Sequence, residues 1–503
     1  MSNPLPYTTQ PSIRELVEGL HRGDWRAVDV VEAALQRAQQ DQLNAWLHVD
    51  AEAAMRHAEQ TDAVRRAQGT LGPLAGIPIG VKDNIHVLGM PTTCASRMLQ
   101  GYMPPFQAAA MTRLQKAGAI LIGKTNMDEF AMGSSGEFSF ASPTRNPWRP
   151  DRAPGGSSSG SAAAVASSQT LAAIGTDTGG SVRQPAAFCG VVGFKPTWGR
   201  ISRHGIVAFA SSMDQLGPLT RNVADAALLY AIMAGHDLLD ATTSAAAVTI
   251  PRADCTNALP GLRIGVTREL LDGVQPDIAR AYHAIEHLLR DAGAHIVPMS
   301  LPMATHAVAT YQVIAAAEAS SNLARFDGVR LGHRTAEASS LAALQSRSRA
   351  EGFGAEVKRR ILLGTWVLSH GYGDEYLSQA QRVRTLICRD FAQAFSQCDV
   401  LLTPTTPTTA FSLGERTHDP VHMYLADLFT VSANLAGLPA ISLPAGLDHE
   451  GLPIGMQFMS APFAEETLLA AAQSLESLLP KRPELHFRAA ETQRGHSETE
   501  AGA

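Results

Sequence analysis

The chain of 503 residues has little with which to grip a polyanion. Its 41 Lys and Arg are outnumbered by 47 Asp and Glu, and the formal net charge is −6. No Lys/Arg-rich run offsets that balance, so the electrostatic footprint of a nucleic-acid binder is missing. Cysteine is scarce too. Cys94, Cys189, Cys255, Cys388 and Cys398 are odd in number, scattered and never spaced C-x-x-C, which argues against a zinc site and for a reducing compartment. Met1 to Gln10 lacks the basic stretch and apolar run of a secretory leader. The Ala-rich apolar runs are broken by Gly, Ser or Pro before the ~18–20 residues that a membrane span requires. These absences predict a cytoplasmic protein.

What is present is globular usage, 45% hydrophobic and 17% charged with 42 Gly and 29 Pro, leaning towards small residues and tight turns. Without an internal repeat or a long linker, one large domain is predicted over 1–488. Apolar residues at Ile13, Leu16, Val17 and Leu20, then at Val30, Val31, Ala34 and Leu35, follow helical spacing. A helical N-terminal region over about 10–65 precedes a core over about 66–488. Residues 75–81 (AGIPIGV) read as a short buried strand ending at Lys82, Met111 to Lys116 as a helix and Ala119 to Ile122 as a strand. Leu262 to Thr267, Pro276 to Ala292 and His295 to Pro298 read as strand, helix, strand, with Pro276 placed for a helix start. Further strands are predicted at Asp399 to Thr403, Ala440 to Leu443 and Ile454 to Met459. Such alternation is α/β. Segment 489–503 is polar and unpatterned, as in a disordered tail.

The most unusual composition runs from Pro154 to Pro185, PGGSSSGSAAAVASSQTLAAIGTDTGGSVRQP. A flexible Gly/Ser linker is the plain alternative. Against it, Ser161 to Ala166 is helix material and Leu171 to Ile174 is strand-like, so loop, helix and strand lead to a second Gly-rich turn, Thr178-Gly179-Gly180-Ser181. Glycines let backbone N–H groups converge on one point, as an oxyanion hole requires, and Ser181 sits at the edge of that nest. A serine hydroxyl needs a base to become a nucleophile. None of the 17 histidines is paired with a motif. Lys82 follows a buried strand, where desolvation would lower its pKa into the useful range; the plain alternative is a solvated surface charge.

Two literal motif matches compete. Gly156-Ser157-Ser158-Ser159-Gly160 satisfies G-x-S-x-G, which would make Ser158 a nucleophile, but that elbow follows a strand and here a Pro-rich polar stretch precedes it. Gly118 to Thr125 (GAILIGKT) satisfies the phosphate-loop pattern, yet its variable positions are themselves strand and the helix precedes instead of following. Lys124 is therefore read as structural or pocket-flanking.

Lys82 in GIPIGVKDN, Ser157 in PGGSSSGSAAAVA and Ser181 in GTDTGGSVRQPAA together resemble the amidase signature family. The resemblance implies an α/β fold with a large twisted mixed sheet covered by helices on both faces. It also implies a Ser-cisSer-Lys triad: Ser181 as nucleophile, Ser157, after a cis peptide, as proton relay, and Lys82 as base. The oxyanion hole would be formed around Thr178, Gly179, Gly180 and Ser181.

Within that family, KTNMDEFAMGSS (124–135), SSMDQLGPLT (211–220), AEASSNLARFDGV (317–329), EVKRRILLGT (356–365) and NLAGLPAI (434–441) are similar to the glutamine-splitting A subunits (GatA) of tRNA-dependent amidotransferases. That likeness implies glutamine as substrate, with Tyr311, Arg360 and Asp427 binding it. A planar Arg fork and a carboxylate suit an α-carboxylate and an α-ammonium. It further implies GatB-like and GatC-like partner subunits, tRNA reached through the partner, ATP and Mg used by the partner, and neither a metal nor a cofactor in this chain. Plain readings make Tyr311 a core aromatic, Arg360 a surface charge beside Arg359, and Asp427 a helix surface residue. Two departures stand out: Gly136-Glu137-Phe138 where Thr-Glu-Asn is more usual, and Gln312 where a second aromatic is common. Two rivals remain, a stand-alone amidase for another amide and a non-catalytic scaffold protein within a tRNA-processing complex.

Overall fold

Eleven strands of the described residues hydrogen-bond into one mixed sheet. In chain order they are β1 Trp46–Val49, β2 Pro78–Lys82, β3 Ile120–Thr125, β4 Ala172–Asp177, β5 Val192–Lys195, β6 Gln215–Thr220, β7 Arg263–Val266, β8 His295–Pro298, β9 Val400–Pro404, β10 Ala440–Leu447 and β11 Pro453–Ser460. Their spatial order is β1-β3-β2-β4-β6-β5-β10-β11-β9-β7-β8. β3, β2 and β4 run parallel, as do β8, β7 and β9, and the strands between these blocks pair antiparallel. The computed structural model describes residues 11–480 except 253 and 370–372. The tail expected over 489–503 and the first residue of the expected N-terminal region lie outside the described residues.

Both faces of the sheet are covered, and strand alternation shows how. Successive side chains of a strand point to opposite faces. In β9, Val400 and Leu402 pack with Ile278, Ile285 and Leu289 of the helix Pro276–Asp291. Leu401 between them packs with Tyr311 and Ile314 of the helix Ala307–Asn322. β10 repeats the pattern, with Ile441 and Leu443 on the first side and Ala440 on the second. A strand buried on both faces reads as a near-continuous apolar run, which is why most of them stand out in the sequence.

Two helices open the described chain. Ile13–Arg22 is capped at Ser12, whose hydroxyl accepts the Glu15 N–H while the Glu15 carboxylate accepts the Ser12 N–H, a reciprocal cap. Ala27–Gln39 follows, and Ala51–Arg66 completes the N-terminal region. β2 begins three residues later than residues 75–81 suggest and ends, as expected, on Lys82. β1, β5 and β6 are not among the strands expected from the sequence. The segment QLGPLT carries Gly217 and Pro218, residues that weaken a strand assignment, yet β6 lies inside the sheet. β5 covers it only at Leu219 and Thr220, which leaves room for a proline that cannot donate.

What positions the site is the parallel pairing of β2 with β4, in the register Ile79↔Ala172, Gly80↔Ala173 and Val81↔Ile174. Their C-terminal ends lie side by side. Lys82 closes β2, and Thr176 and Asp177 close β4 directly before the Gly-rich turn.

Candidate active site

Lys82 is fully buried, and its Nζ has three polar neighbours: Ser157 Oγ at 2.8 Å, Thr176 Oγ1 at 2.9 Å and the Thr176 carbonyl at 3.2 Å. Burial lowers its pKa from 10.5 to about 7, against the pull of Asp128, Asp177 and Asp214. A neutral amine has two hydrogens and one lone pair. Donating to the two Thr176 oxygens leaves that lone pair for the Ser157 hydroxyl.

Ser157 rides on a backbone segment held at successive residues. The Gly156 N–H donates to Gln184 Oε1 at 2.7 Å, the Ser157 carbonyl accepts the Asp128 N–H at 3.2 Å, and the Ser158 N–H donates to the Ser181 carbonyl at 3.0 Å. The Gly156–Ser157 peptide is cis, the geometry implied by the resemblance. Lys82 and Ser157 are 0% exposed and Ser181 is 8% exposed, so the proposed nucleophile is the member nearest to solvent. Among the described residues, no hydrogen bond joins the hydroxyls of Ser157 and Ser181.

The turn Thr178–Ser181 is shaped by Asp177, which sequence reasoning gave no role. Its carboxylate accepts N–H groups from Gly180 at 2.9 Å and Val182 at 3.2 Å, the Arg183 guanidinium at 3.0 Å and the Asn434 amide at 2.9 Å. Burial opposes its charge, but Arg183, Lys195 and Asn434 outweigh that and hold it ionised well below the usual carboxylate range. Of the N–H groups that the resemblance implies for an oxyanion hole, that of Gly180 is engaged by Asp177. Gly180 has φ +135°, and a Cβ there would fall 2.2 Å from Thr430 Oγ1, so only glycine fits.

Of the three expected substrate-binding residues, Tyr311 stands directly against this turn, and Arg360 and Asp427 both act electrostatically on Tyr311. A Cβ on Gly179 would lie 2.7 Å from the Tyr311 hydroxyl, so the missing side chain admits the tyrosine. Arg360 is no surface charge: its side chain is 4% exposed, against 44% for Arg359. Glu356 accepts Arg360 Nε at 2.8 Å, and the guanidinium packs over the rings of Tyr424 and Phe209. Burial works against the charge of Arg360, and Glu356, the largest opposing influence, prevails. Among the described residues only Nε is engaged, so the two terminal nitrogens are available for a planar anion. Asp427 is buried, accepts the Ser134 hydroxyl on Oδ2 and follows the short helix Pro420–Leu425 instead of lying on a helix surface. Burial raises its pKa to about 7. Glu356, Thr430, Asn434 and Gln184 carry no role in the sequence reading, although Glu356, Asn434 and Gln184 fall inside the motifs that carry the resemblance.

Both competing motifs resolve into structural roles. Lys124, the penultimate residue of β3, is fully buried, pairs with Asp83 at 3.0 Å and donates to the Pro91 carbonyl at 2.9 Å. Ser158 donates its hydroxyl to the Thr176 carbonyl at 3.2 Å. At the Gly136-Glu137-Phe138 departure, the N–H groups of Gly136 and Phe138 both bind the Asp128 carboxylate at 3.0 Å. Phe138 lines a cavity of about 390 Å³ with Phe353 and Glu356, so the departure borders the support of Arg360 and, through Asp128, whose N–H the Ser157 carbonyl accepts, the segment that carries Ser157 as well.

Comparison with known proteins agrees with this arrangement. The sequence model of the amidase family matches residues 29–469. The glutamyl-tRNA(Gln) amidotransferase A subunit of Synechococcus sp. (strain RCC307) is 51% identical over 473 residues, 93% of this chain and 98% of the relative. Its counterpart in Symbiobacterium thermophilum is 53% identical, covering 91% and 94%. The crystal structure of the glutamyl-tRNA(Gln) amidotransferase A subunit from Thermotoga maritima superposes with TM-score 0.78 at 38% identity, covering 97% of this chain and 99% of that one. The peptide amidase of Stenotrophomonas maltophilia gives 0.80 at 32% identity, covering 96% and 100%. The fold, the paired Lys82 and Ser157 and these full-length matches agree: the chain belongs to the amidase family, with A subunits of glutamyl-tRNA(Gln) amidotransferases among its relatives.

Proposed function

We propose that the chain is the glutamine-hydrolysing subunit of a tRNA-dependent amidotransferase, releasing ammonia for conversion of Glu-tRNA(Gln), Asp-tRNA(Asn) or both to the amide form. The observation that carries this reading is that a buried cation, Arg360, and a buried carboxyl, Asp427, act electrostatically on each other and on Tyr311, whose hydroxyl stands against Gly179 of the turn that ends in Ser181. An amino acid with a side-chain amide supplies the matching α-carboxylate, α-ammonium and scissile carbon. Identity of 51–53% to named A subunits over more than nine-tenths of the chain supports it.

In the proposed reaction, neutral Lys82 takes a proton from Ser157, and Ser157 takes one from Ser181 as Ser181 Oγ attacks the side-chain amide carbon. The oxyanion is stabilised by N–H groups of the turn. The relay returns the proton to the leaving nitrogen, ammonia departs, and a γ-glutamyl ester remains on Ser181. Water, deprotonated through the same relay, then releases glutamate. Phosphorylation and amidation of the tRNA-bound carboxylate belong to a GatB-like partner, with ATP and Mg used there and a GatC-like subunit completing the assembly.

The test is co-purification with candidate partners, glutamine-dependent amidation of charged tRNA, and a mass search for an acyl group on Ser181. Ser181→Ala should abolish glutamine-dependent amidation and spare amidation driven by free ammonia. Full glutamine-dependent activity in that variant would refute the assignment, and glutamine turnover indifferent to partners and tRNA would favour a stand-alone amidase.

A further inference from the structure

The peptide carrying Ser157 and the carboxyl of Asp427 come from distant parts of the chain, yet one side chain joins them. Gln184 is fully buried in the helix Arg183–Cys189. Its Oε1 accepts the Gly156 N–H at 2.7 Å, and its Nε2 donates to the Ser134 carbonyl at 2.6 Å. The amide orientation is forced, because a flip would set donor against donor and oxygen against oxygen. Beyond each end lies a functional group. Ser134 donates its hydroxyl to Asp427, and Gly156 begins the peptide whose Ser157 hydroxyl meets Lys82. The backbone N–H of Gln184 also donates to the Gly180 carbonyl at 2.8 Å, which ties the same residue to the nucleophile turn. The fit is close: a Cβ on Gly155 would fall 2.5 Å from Gln184 Oε1.

We propose that Gln184 is a positioning residue for the amidase reaction, setting Ser157 against Lys82 and linking that alignment to the amino-acid subsite at Asp427. It touches neither substrate nor a reacting atom. One end fixes the Gly156 N–H and with it the direction of the Ser157 hydroxyl. The other fixes the Ser134 backbone and with it the hydroxyl that Asp427 accepts. The Asp427 half rests on the glutamine reading above, whereas the Ser157 half stands on the geometry alone.

The experiment compares the full-length wild type with Gln184→Met, which removes both hydrogen bonds at similar volume, and Gln184→Glu. The latter keeps an acceptor for Gly156 but sets its second oxygen against the Ser134 carbonyl. One readout is the rate at which a fluorophosphonate without an amino-acid headgroup phosphonylates Ser181 Oγ with loss of fluoride. The other is kcat and KM for glutamine. Gln184→Met should slow phosphonylation by tenfold or more, and Gln184→Glu should raise KM by a larger factor than it slows phosphonylation. Labelling of Gln184→Met within twofold of wild type would overturn the proposal. So would a Gln184→Glu variant in which phosphonylation slows and KM rises by the same factor, the sign of a general packing defect. If Gln184→Met does not fold, as judged by circular dichroism, Gln184→Glu decides. A wild type that is labelled but does not hydrolyse glutamine refutes the glutamine reading, and the labelling rates then decide the role of Gln184.

Discussion

Replacing Lys82 by Met separates catalysis from stability in opposite directions. Burial holds the lysine pKa near 7 instead of 10.5, a difference worth about 5 kcal/mol at 1.36 kcal/mol per pH unit. Between these values the unfolded chain binds a proton that the folded chain does not, so wild-type stability rises with pH from about 7 to about 10.5. Below that window the folded state carries the full penalty. Met removes the penalty but also three hydrogen bonds, to Ser157 Oγ and the two Thr176 oxygens, each worth about 1 kcal/mol net. The variant should therefore be more stable than wild type by about 1–2 kcal/mol at pH 7 and less stable by about 2 kcal/mol near pH 10. Urea midpoints at the two pH values measure the crossover. Amidase activity should fall by about a thousandfold or more, in line with loss of a general base. In wild type, kcat/KM should rise through pH 7. A stability difference that stays constant from pH 7 to 10 would refute a desolvated, neutral Lys82.

Asp427 offers a second pH signature. Its carboxyl is raised to about 7 by burial, so it is neutral below that pH and ionised above it. Glutamine should bind more tightly as pH rises through 7. Calorimetry on Ser181→Ala should show the dissociation constant falling by about tenfold per pH unit below 7, and Asp427→Asn in that background should flatten the profile; a slope that survives the second substitution would assign the titration elsewhere. Lys124→Ala leaves Asp83 buried without its cation and should cost about 3–5 kcal/mol of stability, read from denaturant midpoints. ATP binding to the isolated wild-type chain that disappears in this variant would restore the phosphate-loop reading.

Lys82 is only half legible in sequence: an apolar strand that ends on a charge admits a buried, weakened cation, but a solvated surface charge fits the same local pattern, and the resemblance of three motifs decides between them. The same strand logic recovers β7, β8 and the helix between them, where a proline and a glycine mark the helix boundaries. It fails at β6, because tertiary pairing overrides the local preference of Gly217 and Pro218. Arg360 and Arg359 are adjacent and chemically identical, and only the helix face separates the buried one from the exposed one. Asp177 and Gln184 stand in the open within the Gly-rich motif. Their work lies in contacts to Asn434 and Ser134, residues distant in sequence, and no local pattern displays those contacts.

The pairing of β2 with β4 has a consequence for quality control. Side chains of a strand alternate faces, so a slip of one residue along β4 would carry Lys82 to the far side of the sheet and leave Ser157 without a base. Such a chain could keep its helices, its size and much of its apolar interior. Spectroscopic content would pass it as native, and only titration of reactive Ser181 would count it as lost. On the proposed mechanism, the extent of Ser181 acylation would therefore serve as a ruler of strand alignment, accurate to a single residue.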